Sequence, residues 1–156
     1  MLVELIQRAE EVGDSVRISA AYFQLAIASV NISNYTVRML KKSLMYSNPS
    51  MRNRVEIYSS LGQAYLMIDP PKLDSAQHYL EIGNRINDTA CVSLSVPLTL
   101  AETYLAQGNY SQANSIIDKV LNEPSYGSYD FSLYSLTILS LECFSSRSSI
   151  SRRINL

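Results

Sequence analysis

The chain has 156 residues, room for one domain with a real core, and balances 13 Lys and Arg against 14 Asp and Glu. That near-neutral balance argues against a general nucleic-acid binder, which shows a basic excess. A hydrophobic share of 47% with 17% charged residues excludes a disordered chain, and five Gly and five Pro are too few for a turn-dense sandwich or barrel. Two Cys and one His make neither a disulfide framework, nor a zinc site by themselves, nor catalysis built on several histidines.

The dominant period is helical. Leu2, Leu5, Ile6 and Ala9 share one face of a short first helix, and Gly13-Asp14-Ser15 ends it and caps the next. Ile18, Ala21, Tyr22, Leu25, Ala26 and Ser29 recur at helical spacing and predict a helix over 15–31. After a polar break, Val37, Leu40 and Leu44 line a helix over 35–46 that turns Arg38, Lys41 and Lys42 to solvent, stopped by Asn48-Pro49-Ser50. A helix over 52–67 ends at Asp69-Pro70-Pro71, and one over 73–86 ends at Asn87-Asp88. Helices over 93–107 and 110–121 are separated by Gly108-Asn109, and a last helix is predicted over 128–144. Residues 145–156 form a Ser/Arg-rich tail expected to be flexible, because Ile150, Ile154 and Leu156 offer little to bury. The total is about eight helices with no strand of convincing length, joined by turns short enough to make neighbours antiparallel.

An internal repeat runs through this pattern. Leu100-Ala101-x-x-Tyr104, Gly108-x-Tyr110-x-x-Ala113, then Ile117, Val120 and Pro124 resemble the tetratricopeptide repeat, a helix–turn–helix unit of about 34 residues. A second copy reads Leu61-Gly62-x-x-Tyr65, Ala76, Leu80 and Gly83, with a longer turn and no exit proline at Asp88. A third, degenerate copy reads Leu25-Ala26, Tyr35 and Pro49, with Arg38 where a small residue would seat the second helix. Ala26 to Gly62 is 36 residues and Gly62 to Ala101 is 39, both close to the repeat length. The resemblance implies an all-α fold, a right-handed α-solenoid of antiparallel helix pairs over residues 1–144. In this frame Leu2–Val12 is a second helix without its first, and Ser128–Phe144 a first helix without its second. The frame therefore implies a slice of a longer array or an array completed by self-association.

Chemistry is sparse. His78 has no neighbouring ligand, Cys91 and Cys143 read as packed thiols, and the carboxylates scatter along helix faces. No phosphate-cradling glycine loop, nucleophile elbow or H-E-x-x-H motif is present, so neither enzyme activity nor a cofactor is expected. Charge is uneven: residues 1–54 carry +3, residues 55–144 carry −7 and the tail +3. The basic stretch Arg38–Arg54 could steer an acidic partner or simply solubilise. Tyr65 and Tyr104 read as structural, whereas Tyr22, Tyr58, Tyr126, Tyr129 and Tyr134 suit an interface.

The repeat resemblance implies a protein–protein interaction module that binds a peptide or helix in a concave groove lined by the first helices. The groove candidates are Phe23, Ile27, Val30, Ser59, Gln63, Met67, Leu98, Glu102 and Leu105. Ser59, Gln63 and Glu102 do not match the Lys, Arg and Asn of groove types that clamp a C-terminal carboxylate. An alternative is the sensor or regulatory region of a bacterial regulator, since Leu73-Asp74-Ser75-Ala76-x-x-Tyr79-Leu80 resembles bacterial arrays of this type. The last predicted helix carries Leu133, Leu136, Ile138, Leu139 and Leu141 on more than one face and is expected to self-associate or to bind an adjoining segment. The longest mostly apolar run, Ala20–Val30, falls short of the ~18–20 residues of a membrane span. Glu4, Glu10 and Glu11 are unlike a secretory leader, which together with the lack of a disulfide framework slightly favours the cytoplasm and leaves the location open.

Overall fold

The structure, a computed structural model, describes residues 2–29, 33–48, 52–90 and 93–123. Among these the fold is all-α, with seven helices and no strand: α1 (Leu2–Val12), α2 (Ser15–Ala28), α3 (Ser33–Tyr46), α4 (Arg52–Leu66), α5 (Leu73–Ala90), α6 (Ser95–Ala106) and α7 (Tyr110–Leu121). The expected eighth helix over 128–144, the tail, Val30, Cys91 and Cys143 lie outside the described residues. Among the described residues no helix is long and apolar enough to cross a membrane.

One two-residue joint is used twice. Gly13 and Gly108 take φ of +70° and +74°, a conformation that costs glycine little. Each lets the following residue donate its amide five residues back, Asp14 to the Ala9 carbonyl at 3.0 Å and Asn109 to the Tyr104 carbonyl at 2.8 Å. The same two residues then cap the next helix, Asp14 accepting from the Arg17 amide and Asn109 from the Gln112 amide. Termination and initiation are thereby fused, and the chain reverses without a loop.

Each helix packs on the next in sequence, and α4 also packs directly on α6. The α2–α3, α4–α5 and α6–α7 pairs form successive hairpins whose contact residues recur in register. Ala26, Gly62 and Ala101 are the small residues of the first helices. A Cβ on Gly62 would run into the isobutyl group of Leu80, and one on Gly83 would lie 2.8 Å from Tyr58 Cβ. The two contacts run in opposite order along α4 and α5, so the pair is antiparallel and close enough to need glycine on both helices. In α6–α7 fully buried Ala113 serves the same end. In α2–α3 serines do so: Ser19 Oγ donates to the Ser43 carbonyl at 2.9 Å and Ser43 Oγ to the Ser19 carbonyl at 2.8 Å. Both hydroxyls are buried and satisfied, which removes the cost of placing them in a core.

Arg38 is exposed, as its place on the solvent side of its helix predicts, and buried Thr36 donates to the Ser29 carbonyl. Three sequence expectations are corrected. Helix α5 runs on to Ala90 instead of stopping at Ile86. Buried Asn87 accepts from the Ser93 amide at 2.8 Å and donates to its carbonyl at 2.7 Å, so a residue read as a breaker ties the helix end to the following loop. Helix α3 starts at Ser33, two residues early, and Tyr22 and Tyr58 are core residues rather than interface residues, 8% and 7% exposed.

Candidate binding surface

The row α2, α4, α6 carries the groove candidates. Its two gaps differ. Between α4 and α6 the helices touch, and Ser59 is buried at that contact with its hydroxyl 3.0 Å from that of Ser95. Ser59 is thereby taken up in the contact between the two helices. Between α2 and α4 lies an open cleft of ≈ 520 Å³ over α3. Its floor is Ser19, Ser43 and Ile57, all buried, and its walls are Ala20, Phe23 and Gln24 of α2 and Asn53 and Glu56 of α4.

Of the expected residues, half-buried Phe23 enters this cleft. Ile27, Gln63 and Glu102 stay exposed at corresponding positions of the three helices, outside the cleft. Leu98 and Leu105 are half-buried and pack against the core, and Met67 lies just past the end of α4, 55% exposed. Val30 is outside the described residues. The sequence reading missed Ala20, Gln24, Asn53 and Glu56. Their signal was modest: Ala20 and Gln24 are a helical step apart on α2, next to the Phe23–Ile27 stripe that the repeat frame favoured.

Chemically the cleft offers one aromatic side, two primary amides and one carboxylate. Gln24 and Asn53 each carry donors and an acceptor, the set that can pair with a peptide backbone. Exposed Glu56 adds negative charge at the rim.

The basic stretch is organised differently from a free cationic patch. Arg38 lies 5.3 Å from the Tyr35 ring centre, Lys42 5.0 Å from Tyr22, and Arg54 5.9 Å from Tyr58. Lys41 sits 5.7 and 5.8 Å from Tyr65 and Tyr79, whose rings stack 5.6 Å apart. The Tyr65 hydroxyl beside its ammonium holds Lys41 above the usual lysine range. His78 is exposed and meets the Tyr79 ring edge-on.

Among the described residues no group of three or more His, Cys, Asp or Glu is placed to hold a metal ion. Compared with family models, curated proteins and solved structures, the chain matches none.

Proposed function

We propose that this chain is a non-enzymatic interaction module of the tetratricopeptide type, its hairpins forming a right-handed α-solenoid over residues 1–144 that binds a protein segment on its concave side. Three features support the repeat reading: small residues in register at Ala26, Gly62 and Ala101, hairpins in succession, and direct packing of α4 on α6. The observation that carries the binding role is the cleft between α2 and α4, open to solvent yet walled by Phe23, Gln24, Asn53 and Glu56. An extended peptide fits its chemistry. An apolar side chain meets Phe23, the peptide's amides pair with Gln24 and Asn53, and a Lys or Arg approaches Glu56.

The test is selection of displayed random peptides on the immobilised full chain, followed by binding of the enriched sequence to variants. Enriched peptides should carry an apolar residue near a basic one. Phe23→Glu and Glu56→Lys should each weaken binding at least tenfold, with the circular-dichroism spectrum unchanged. No enrichment, or binding indifferent to both variants, would contradict the proposal.

A further inference from the structure

A second groove adjoins the first across Ala20 and Gln24 of α2. It lies between α1 and α2, has a volume of ≈ 1000 Å³, and adds Leu5, Ala9, Val12 and Ala21, with Arg8, Asp14 and Arg17 as its charged residues. Leu5 and Val12 are 52% and 79% exposed, an unusual state for large aliphatic side chains that share a groove.

The repeat frame identifies what sits at the matching place further along. The 75-residue step from Ala26 to Ala101 pairs Ala20 with Ser95, Ala21 with Val96 and Gln24 with Thr99. Ser95, exposed like Ala20, is the α6 residue whose hydroxyl meets Ser59 of α4, Val96 is buried like Ala21, and Thr99 is buried where Gln24 is exposed. α4 packs on α6 at this face, whereas among the described residues no helix packs on the corresponding Gln24 side of α2.

We infer that this groove seats residues 128–144 of a second copy of the chain, linking copies head to tail. That segment, outside the described residues, has a helical period with apolar residues on more than one face. It supplies Leu133, Leu136, Leu139 and Phe144 for the groove's aliphatic lining. Its only charges are Asp130 and Glu142, opposite in sign to Arg8 and Arg17 at the rim; Asp14 pairs with Arg17 at 3.1 Å and leaves Arg8 to meet the incoming acid. Donor and acceptor are different surfaces, so each copy carries one of each. The inference rests on the repeat reading but not on peptide binding in the α2–α4 cleft, which borders this groove at Ala20 and Gln24 but has its other walls on α4.

The experiment is light-scattering mass against concentration for the full chain and two charge-altered variants. Wild type should reach at least twice its 17.5 kDa as concentration rises. Arg8→Glu/Val12→Glu disables the acceptor at exposed positions, and Asp130→Lys/Glu142→Lys disables the donor without removing an apolar side chain; each alone should stay monomeric. Mixing the two should give a 1:1 dimer and nothing larger, since one intact donor meets one intact acceptor. Wild type that stays monomeric at every concentration overturns the inference. So does a mixture that stays monomeric, which a symmetric contact would produce, and so does self-association unaffected by either variant. Unchanged helical ellipticity and retained peptide binding separate failure here from failure of the functional reading.

Discussion

The Tyr104 hydroxyl donates to Glu81 Oε1 at 2.7 Å, joining α6 to the preceding α5, and one repeat earlier Tyr65 of α4 meets Lys41 of α3 in the same register. The tyrosine recurs, while its partner changes from cation to carboxylate. A phenol can do both, offering its ring face to an ammonium and its O–H to a carboxylate. Around Glu81 the network extends: Gln77 donates to it at 2.8 Å, and Gln107, just past the end of α6, donates to Gln77 at 2.8 Å.

This network makes stability depend on pH at both ends. Hydrogen bonds from Gln77 and then Tyr104 hold the Glu81 carboxyl below its usual range. Its contribution is full above the unfolded value of about 4.3 and is lost as pH falls through the lower folded value. Burial first, and the bond to Glu81 second, push Tyr104 up to about 12 from 10.0. That contribution is full below pH 10.0 and fades as pH climbs toward 12. Tyr104→Phe should cost about 1 kcal/mol at neutral pH and flatten both flanks of the stability profile. Urea midpoints measured from acid to alkaline pH check this; parallel profiles for wild type and variant would remove the bond from the account.

Helix approach predicts a coupled pair. Gly62→Ala drives a methyl group into Leu80, which is fully buried. The single variant should lose about 1–3 kcal/mol, the usual cost of overpacking. In a Leu80→Ala background the same methyl group enters space the leucine vacated, and its cost should shrink or change sign. A double-mutant cycle in urea reads the coupling directly. Additive effects would mean that the two residues do not share a contact.

The Gly108 position behaves in the opposite way. No atom lies within 4 Å of the place its Cβ would occupy, yet its φ is +74°. Gly108→Val should destabilise through backbone strain, while Gly108→Asn should be nearly neutral, because asparagine tolerates the left-handed region. At Gly62, where space rather than φ is limiting, asparagine should be as damaging as other side chains. Thermal melts of these three variants separate the two roles of glycine.

Ala113, with no exposed surface, seats α7 against α6. Ala113→Leu should cost about 1–3 kcal/mol, read as a lower urea midpoint. An unchanged midpoint would show that α7 does not pack through this face.

Much of the fold was readable from local signals. The order of seven helices follows from apolar periodicity, and the Gly13-Asp14 and Gly108-Asn109 joints follow from the two things a helix reversal needs, a positive φ and a capping side chain. Residues whose role is fixed across the fold were not readable. Asn87 looks like a breaker until its amide is seen paired with Ser93. Thr36 is buried because its hydroxyl has a partner outside its own helix, the Ser29 carbonyl, which no period within α3 reveals. Tyr22 and Tyr58 have the composition of interface residues but are covered by stacking on Tyr46 and Tyr79. The candidate site was legible only at Phe23. The cleft exists because α2 and α4 stand apart over α3 while α4 and α6 touch through Ser59 and Ser95, and the spacing of helices from different hairpins leaves no mark in a single period.

The central claim is that the cleft between α2 and α4 receives a peptide. Backbone amide shifts of the isotopically labelled full chain, recorded while a display-selected peptide is added, test it most directly. The account predicts the largest changes at Ala20, Phe23, Gln24, Asn53 and Glu56, with α7 and the outer face of α5 unmoved. Changes centred on α5 to α7, or a chain that binds no selected peptide at all, would contradict it.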